Sequence, residues 1–185
     1  MKNLILMFIS ALFLSGIKDI NSVTKNNKPS HFSFTKGADG IIKLNELAAG
    51  GTKKHDEFGY EEDWIELYNN TDSTLKLEEG KWFITDNYKT NPCQYALPEI
   101  ILEPNSYLLV WCDGLNTVEN EIHSNFKLSS SGEKPGLFFN DNGTLVTIDS
   151  CTFSSLPHSQ SFARAADGAE NWVINNKPSP GKSNH

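Results

Sequence analysis

Six acidic side chains and a histidine crowd one short stretch of the chain: His55, Asp56, Glu57, Glu61, Glu62, Asp63 and Glu66. Carboxylates at this density could hold a hard divalent cation, Ca²⁺ or Mg²⁺, through oxygen ligands, which makes Asp56, Glu57, Glu61, Glu62 and Asp63 the candidate metal ligands. A metal-dependent hydrolase or a Ca²⁺-dependent lectin would use such a site. The competing reading is a solvated charged face that keeps the chain soluble, because a cation needs converging oxygens and the sequence shows only neighbouring ones.

Other chemistry is harder to assemble. Ser129-Ser130-Ser131 with His123 could be drawn as a nucleophile and its base, but nothing in the sequence orients the histidine or supplies an oxyanion hole. A Gly-x-Ser-x-Gly elbow, a phosphate loop and a His-Glu-x-x-His helix are all missing. Asp141-Asn142-Gly143 falls short of a calcium loop, since Phe138 stands where that pattern needs an acid. The histidines (31, 55, 123, 158, 185) are scattered, and Cys93, Cys112 and Cys151 form no Cys-x-x-Cys pair. One disulfide with a spare thiol and three buried thiols are equally compatible with that spacing. No catalytic residue is assigned and no cofactor is implied. Tyr60, Tyr88, Tyr95 and Trp111 fall near strand ends or loops, where exposed aromatics would serve binding. Trp111, inside an apolar run, is expected in the core.

The elements that would position these residues are strands. Trp64-Ile65-Glu66-Leu67-Tyr68 alternates between two faces and stops at Asn69-Asn70. Ile65 and Leu67 share a core face; Trp64, Glu66 and Tyr68 share a second face that could be half wet. Similar short runs span 41–47, 74–77, 82–85, 94–97, 100–102, 107–111 and 161–164, separated by Gly, Pro and Asn. Turn signals at that spacing describe an all-β sandwich or barrel. The clearest local feature is a hairpin, 136–139 and 144–148, turned at Asn142-Gly143. Trp172 is expected to plug one end of the core.

Length and charge narrow the class. A chain of 185 residues can bury one core, and a net charge of −7 argues against a phosphate-binding surface. Residues 1–22 have the pattern of an export signal: Lys2, an apolar run from Leu4 to Leu14, then Ser15 and Gly16. That run is shorter than the roughly 20 residues a membrane span needs. No Cys follows it, so the exported chain is expected without a lipid anchor or membrane insertion, in the periplasm, on the surface or in the medium. Residues 23–39 read as a polar arm and 40–185 as the domain.

Several motifs stand in one order: Leu44-Asn45-Glu46, Asp63-Trp64-Ile65-Glu66-Leu67-Tyr68-Asn69, Gly80 with Trp82, Leu97-Pro98 and Tyr107 to Trp111. Asn125 to Ser129 with Ser131-Gly132-Glu133, Ser161 to Arg164, Asp167-Gly168, Trp172 and Pro178-Ser179-Pro180-Gly181-Lys182-Ser183-Asn184 complete the series. Together they resemble the lamin tail domain family in its bacterial, exported branch, over roughly residues 40 to 184. The resemblance implies an immunoglobulin-like β-sandwich. It departs from the family in small ways, with Phe162 where Tyr is common and Ser179 where Thr is common. It also implies an exported noncatalytic binding or scaffold module that contacts a protein or a cell-envelope glycan. The DNA binding attributed to some eukaryotic relatives fits the acidic balance poorly, so no nucleic-acid partner is expected.

Overall fold

The computed structural model describes residues 40–184. The export signal and the arm lie outside the described residues. Thirteen strands follow in chain order: β1 (Ile42–Ala48), β2 (Trp64–Asn69), β3 (Leu75–Leu77), β4 (Trp82–Thr85), β5 (Tyr95–Ala96), β6 (Ile100–Leu102) and β7 (Tyr107–Trp111). The rest are β8 (Thr117–Val118), β9 (Ile122–His123), β10 (Gly136–Asp141), β11 (Thr144–Ser150), β12 (Ser161–Arg164) and β13 (Trp172–Asn175). They form a seven-stranded sheet, β13-β12-β1-β2-β7-β9-β8, a four-stranded sheet, β11-β10-β4-β5, and the pair β3-β6.

Alternation explains the shared interior. Ile42, Leu44, Leu47, Ile65, Leu67 and Val110 of the larger sheet meet Trp82, Ile84, Leu137, Phe139 and Ile148 of the smaller one in a single buried cluster. Leu75, Leu77 and Leu102 of β3 and β6 join the same cluster. The hairpin forms as the sequence implies: Asn142 and Gly143 both take positive φ, 50° and 95°, and Asp141 pairs with Thr144 across them.

Leu44 and Leu47 are three residues apart and would face opposite sides of a regular strand, yet both are core. A β-bulge resolves this: the β1–β2 register shifts between Leu44 and Glu46, so Asn45 is the extra residue. The bulge also leaves the Leu44 peptide groups without strand partners on the β12 side, where pairing begins at Glu46 and Ala163. Arg164 and Asp149 meet them. Leu44 N donates to Asp149 Oδ2 at 2.8 Å, and Arg164 Nε donates to the Leu44 carbonyl at 2.6 Å. Arg164 Nη2 donates to that same Asp149 oxygen at 2.6 Å, so a buried ion pair ties β12 of one sheet to β11 of the other.

The second face of β2 is not half wet. Trp64, Glu66 and Tyr68 are all buried. Trp64 lies opposite Ala48 and Trp111 on the neighbouring strands, and the three form a small second cluster. Tyr68 packs on Tyr107, with ring centroids 5.2 Å apart. Trp172 departs from its expected place: on edge strand β13 it stacks on Phe162 at 4.8 Å and lies under the Arg164 guanidinium. It covers the flank of the core and does not plug an end.

Replacing Arg164 with Ala should lower the unfolding free energy by about 3–5 kcal/mol, because it strands a buried carboxylate at Asp149 and an unmet Leu44 carbonyl. Urea unfolding measures the loss. A change within about 0.5 kcal/mol, typical of a surface site, would remove the tie between the sheets from the account.

Candidate functional site

The acidic residues singled out in the sequence divide between two places on one face of the seven-stranded sheet. In the middle of that face Glu46 and Glu66 sit directly opposite each other on β1 and β2, both fully buried. Both carboxyls are pushed above the usual range, first by burial; Glu66 reaches about 8, the charges of Glu46 and Asp167 adding to the effect.

Donors from distant parts of the chain meet them. Glu66 accepts from Asn45 Nδ2 at 2.9 Å and from Gly181 N at 2.6 Å. Glu46 accepts from the Ser161 hydroxyl, and from Ser179 N and Oγ at 3.0 and 2.9 Å. Asn184 Nδ2 donates to the Asn45 carbonyl at 3.1 Å, while its backbone N donates to Asp167 Oδ1 at 3.0 Å. Burial works against the Asp167 charge, but hydrogen bonds from Asn184, Asn45, Ser183 and Tyr107 hold its pKa below the ordinary value. Glycine suits position 168: its φ is +67°, and a Cβ there would push the Asn70 side chain aside. The segment 178–184 is thus a roof laid over two buried glutamates, and every carboxylate oxygen beneath it has a donor. That is a structural lock, its carboxyl oxygens spent on donors within the chain.

The second place is the end of the same face. Ala48, Trp64, Trp111 and His123 follow one another across adjacent strands, and the loop 52–63 folds over this row. The loop is a small hairpin of its own, with His55 bridged to Glu61. Asp56 Oδ1 accepts from Phe58 N and Tyr60 N, which tightens the turn. Glu57 clips the loop to the β8–β9 turn: it accepts from Asn120 Nδ2 at 2.6 Å and Glu121 N at 3.2 Å. Hydrogen bonding to Asn120 above all keeps its carboxyl below the usual range. Glu121 answers by accepting from Glu57 N and Trp111 Nε1, both at 2.7 Å.

The five candidate ligands therefore do not converge as a set. Asp56 and Glu57 turn inward toward two residues that the sequence did not single out as ligands, Asp113 and His123. Glu61 faces His55 at 3.8 Å, Glu62 faces Lys127 at 3.4 Å, and Asp63 is spent on the Leu128 backbone N at 3.1 Å. His123 is bonded to Asp113, while Ser129 Oγ and Ser131 Oγ bond each other at 2.6 Å. No sequence signal links Asp113 to His123. Their ten-residue separation becomes a contact only because β9 turns back alongside β7.

Of the aromatics, Tyr60 is 65 % exposed, Tyr88 is half-buried, and Tyr95 and Trp111 are buried. None of the three cysteines is paired; Cys112 and Cys151 are buried and Cys93 is exposed, so the three-thiol alternative holds for two of them.

Two facing sheets around one core, with no helix among the described residues, define an immunoglobulin-like β-sandwich. Residues 35–155 match the family model of the Lamin Tail Domain. The chain belongs to that family, whose immunoglobulin-like fold is generally a noncatalytic module. Comparison with curated proteins returns no match. The matched region ends before β12, β13 and the roof, yet β12 is hydrogen-bonded to β1 within the larger sheet.

The lock makes a pH prediction. Glu66 has an ordinary value of 4.5 and a folded value of about 8, so between the two the unfolded chain releases a proton that the folded chain keeps. Its contribution to stability is thus full below about pH 4.5 and declines as the pH rises toward about 8. Glu66→Gln removes that dependence. The stability difference between variant and wild type should shift toward the variant, by at most about 1.4 kcal/mol per pH unit. Denaturant titrations across this range test it, and a difference that stays constant would contradict the assignment.

Proposed function

We propose that the chain is an exported, noncatalytic binding module that receives a protein partner along the β8 edge of its larger sheet. The observation that carries this reading is a concentration of exposed apolar side chains at one corner. Phe58 and Tyr60 from the loop, and Leu115 and Val118 before and within β8, are four of the eight large apolar side chains exposed among the described residues. Residues 114–120 are exposed without interruption. β8 is the last strand of its sheet, so one side of its backbone can accept another strand.

Charge suggests the partner's character. Glu61 and Glu119 stand exposed beside the apolar residues, on a chain of net charge −7. An extended segment with apolar residues between lysines or arginines suits that corner. The export pattern at residues 1–22 supports an encounter outside the cytoplasm. A cell-envelope glycan is a second reading, favoured by one feature only: Tyr60, the most exposed of these aromatics, could stack on a sugar ring.

A photo-cross-linking residue at Val118 is compared with one at Leu145, which is exposed on the other sheet. The expected result is a discrete protein adduct from position 118 that excess unlabelled chain displaces and Leu115→Asp abolishes. Adducts of equal yield at both positions would overturn the reading, and an adduct whose added mass is removed by glycosidase would replace it with the glycan. N-terminal sequencing of chain recovered outside the cytoplasm should find the apolar segment removed. An intact Met1 on chain confined to the cytoplasm would refute export.

A further inference from the structure

His123 is completely buried, yet only one of its ring nitrogens is hydrogen-bonded. Nδ1 lies 2.5 Å from Asp113 Oδ2, and the other oxygen of Asp113 accepts from Leu115 N at 3.0 Å. In the neutral ring, a carboxylate at Nδ1 keeps the proton on that side and leaves the Nε2 lone pair facing away from it. Nε2 has no hydrogen bond; Glu57 Oε1 stands 3.4 Å from it. Asp56 adds a second unsatisfied atom, because Oδ1 takes both loop hydrogen bonds while Oδ2 is buried without a partner. One ligand atom from each of Asp56, Asp113 and His123 falls within 4.8 Å of the others.

A buried carboxylate oxygen and a buried imidazole nitrogen, each lacking a donor or acceptor, cost about 1–3 kcal/mol apiece. Asp56 and His123 belong to one cluster with Asp113, and Glu57 adds further negative charge 3.4 Å from Nε2. We propose that this corner binds a divalent transition ion of the Zn²⁺ class, ligated by His123 Nε2, Asp56 Oδ2 and Glu57 Oε1, with Asp113 steadying the imidazole from behind. This goes beyond the binding function proposed above and does not depend on it.

The Nε2–Oε1 distance and the donor type agree with the assignment. Zn–N and Zn–O bonds of about 2.0 Å in tetrahedral array put neighbouring ligands ~3.3 Å apart. The observed spacing from Nε2 to Glu57 Oε1 is 3.4 Å. An imidazole among carboxylates suits zinc and its neighbours, whereas Ca²⁺ and Mg²⁺ select oxygen alone. The carboxylate bonded to the far ring nitrogen is the usual outer partner of a metal-bound histidine. The ion would fasten the loop 52–63 to β9 directly beneath Phe58, whose ring lies 5.2 Å from that of His123. The competing arrangement is an imidazolium, in which His123 itself is the cation between Asp113 and Glu57.

The test uses the untagged full chain, stripped with a chelator and titrated with ZnCl₂ by calorimetry and with Co²⁺ by visible absorption. The proposal expects one equivalent bound. Asp56→Asn and His123→Gln should weaken it roughly tenfold or more, and Glu61→Gln should leave it unchanged. Asp56→Asn retains Oδ1 as the acceptor for the loop, and its thermal unfolding should match that of the metal-free wild type. The cobalt spectrum should show d–d bands without a thiolate charge-transfer band. No binding at millimolar zinc would overturn the site in favour of the imidazolium. Undiminished binding by Asp56→Asn, or a thiolate band from exposed Cys93, would overturn it in favour of adventitious sites elsewhere.

Discussion

Two glutamates face each other across β1 and β2 with no exposed surface, and the far end of the chain is arranged to make that tolerable. Buried carboxyls survive only where hydrogen bonds replace water. The donors are Ser161, Asn175, Ser179, Gly181 and Asn45, so four of the five come from residues more than a hundred positions away in sequence. A closing segment rich in Pro, Ser and Gly has little apolar surface with which to hold itself down. It stays because its amides and hydroxyls are what the glutamates lack.

The Asn45 bulge makes this arrangement compatible with a core. One extra residue turns Asn45 and Glu46 toward the outer network while Leu44 and Leu47 both remain inside. The same irregularity exposes the Leu44 peptide groups that Arg164 and Asp149 use to join the sheets. Core register, inter-sheet pairing and the outer network thus share a single local departure from regular pairing. Asn45-Glu46, Glu66, Asp167-Gly168 and Ser179 to Asn184, all part of the motif series in the sequence, are accounted for as framework.

Alternation makes most of the sandwich legible in the sequence. β4, β6, β7 and β12 have the expected ends, and the Asn142-Gly143 hairpin has the expected turn, because their signals are local. β8 and β9 were not legible, since two residues carry no period. β13 was missed for another reason: Trp172 drew the reading of a core plug, and its stacking on Phe162 depends on a strand paired late in the chain. Alternation also tells which side chains share a face but not what covers it. Trp64, Glu66 and Tyr68 were therefore open to a half-wet reading until the roof at 178–184 and the loop at 52–63 were in place. The acidic loop misled most, because density along the chain resembles convergence in space. Glu61, Glu62 and Asp63 each turn to a local or structural partner, while His123 and Asp113 come from outside the stretch.

The two covers on the outer face differ in a way that separates framework from function. Beneath 178–184 each carboxylate oxygen of Glu46 and Glu66 has a donor, so another ligand would have to displace existing bonds. Beneath 52–63 the Asp56 and His123 side chains each keep one buried atom unmet, and the residues above them are apolar and exposed. A polar network that satisfies itself contributes shape, whereas one left incomplete contributes affinity for whatever completes it. Both covers rest on the same strands. An immunoglobulin-like sandwich can therefore keep one end of this face as fixed architecture and leave the other free to acquire a ligand, without disturbing the core between them.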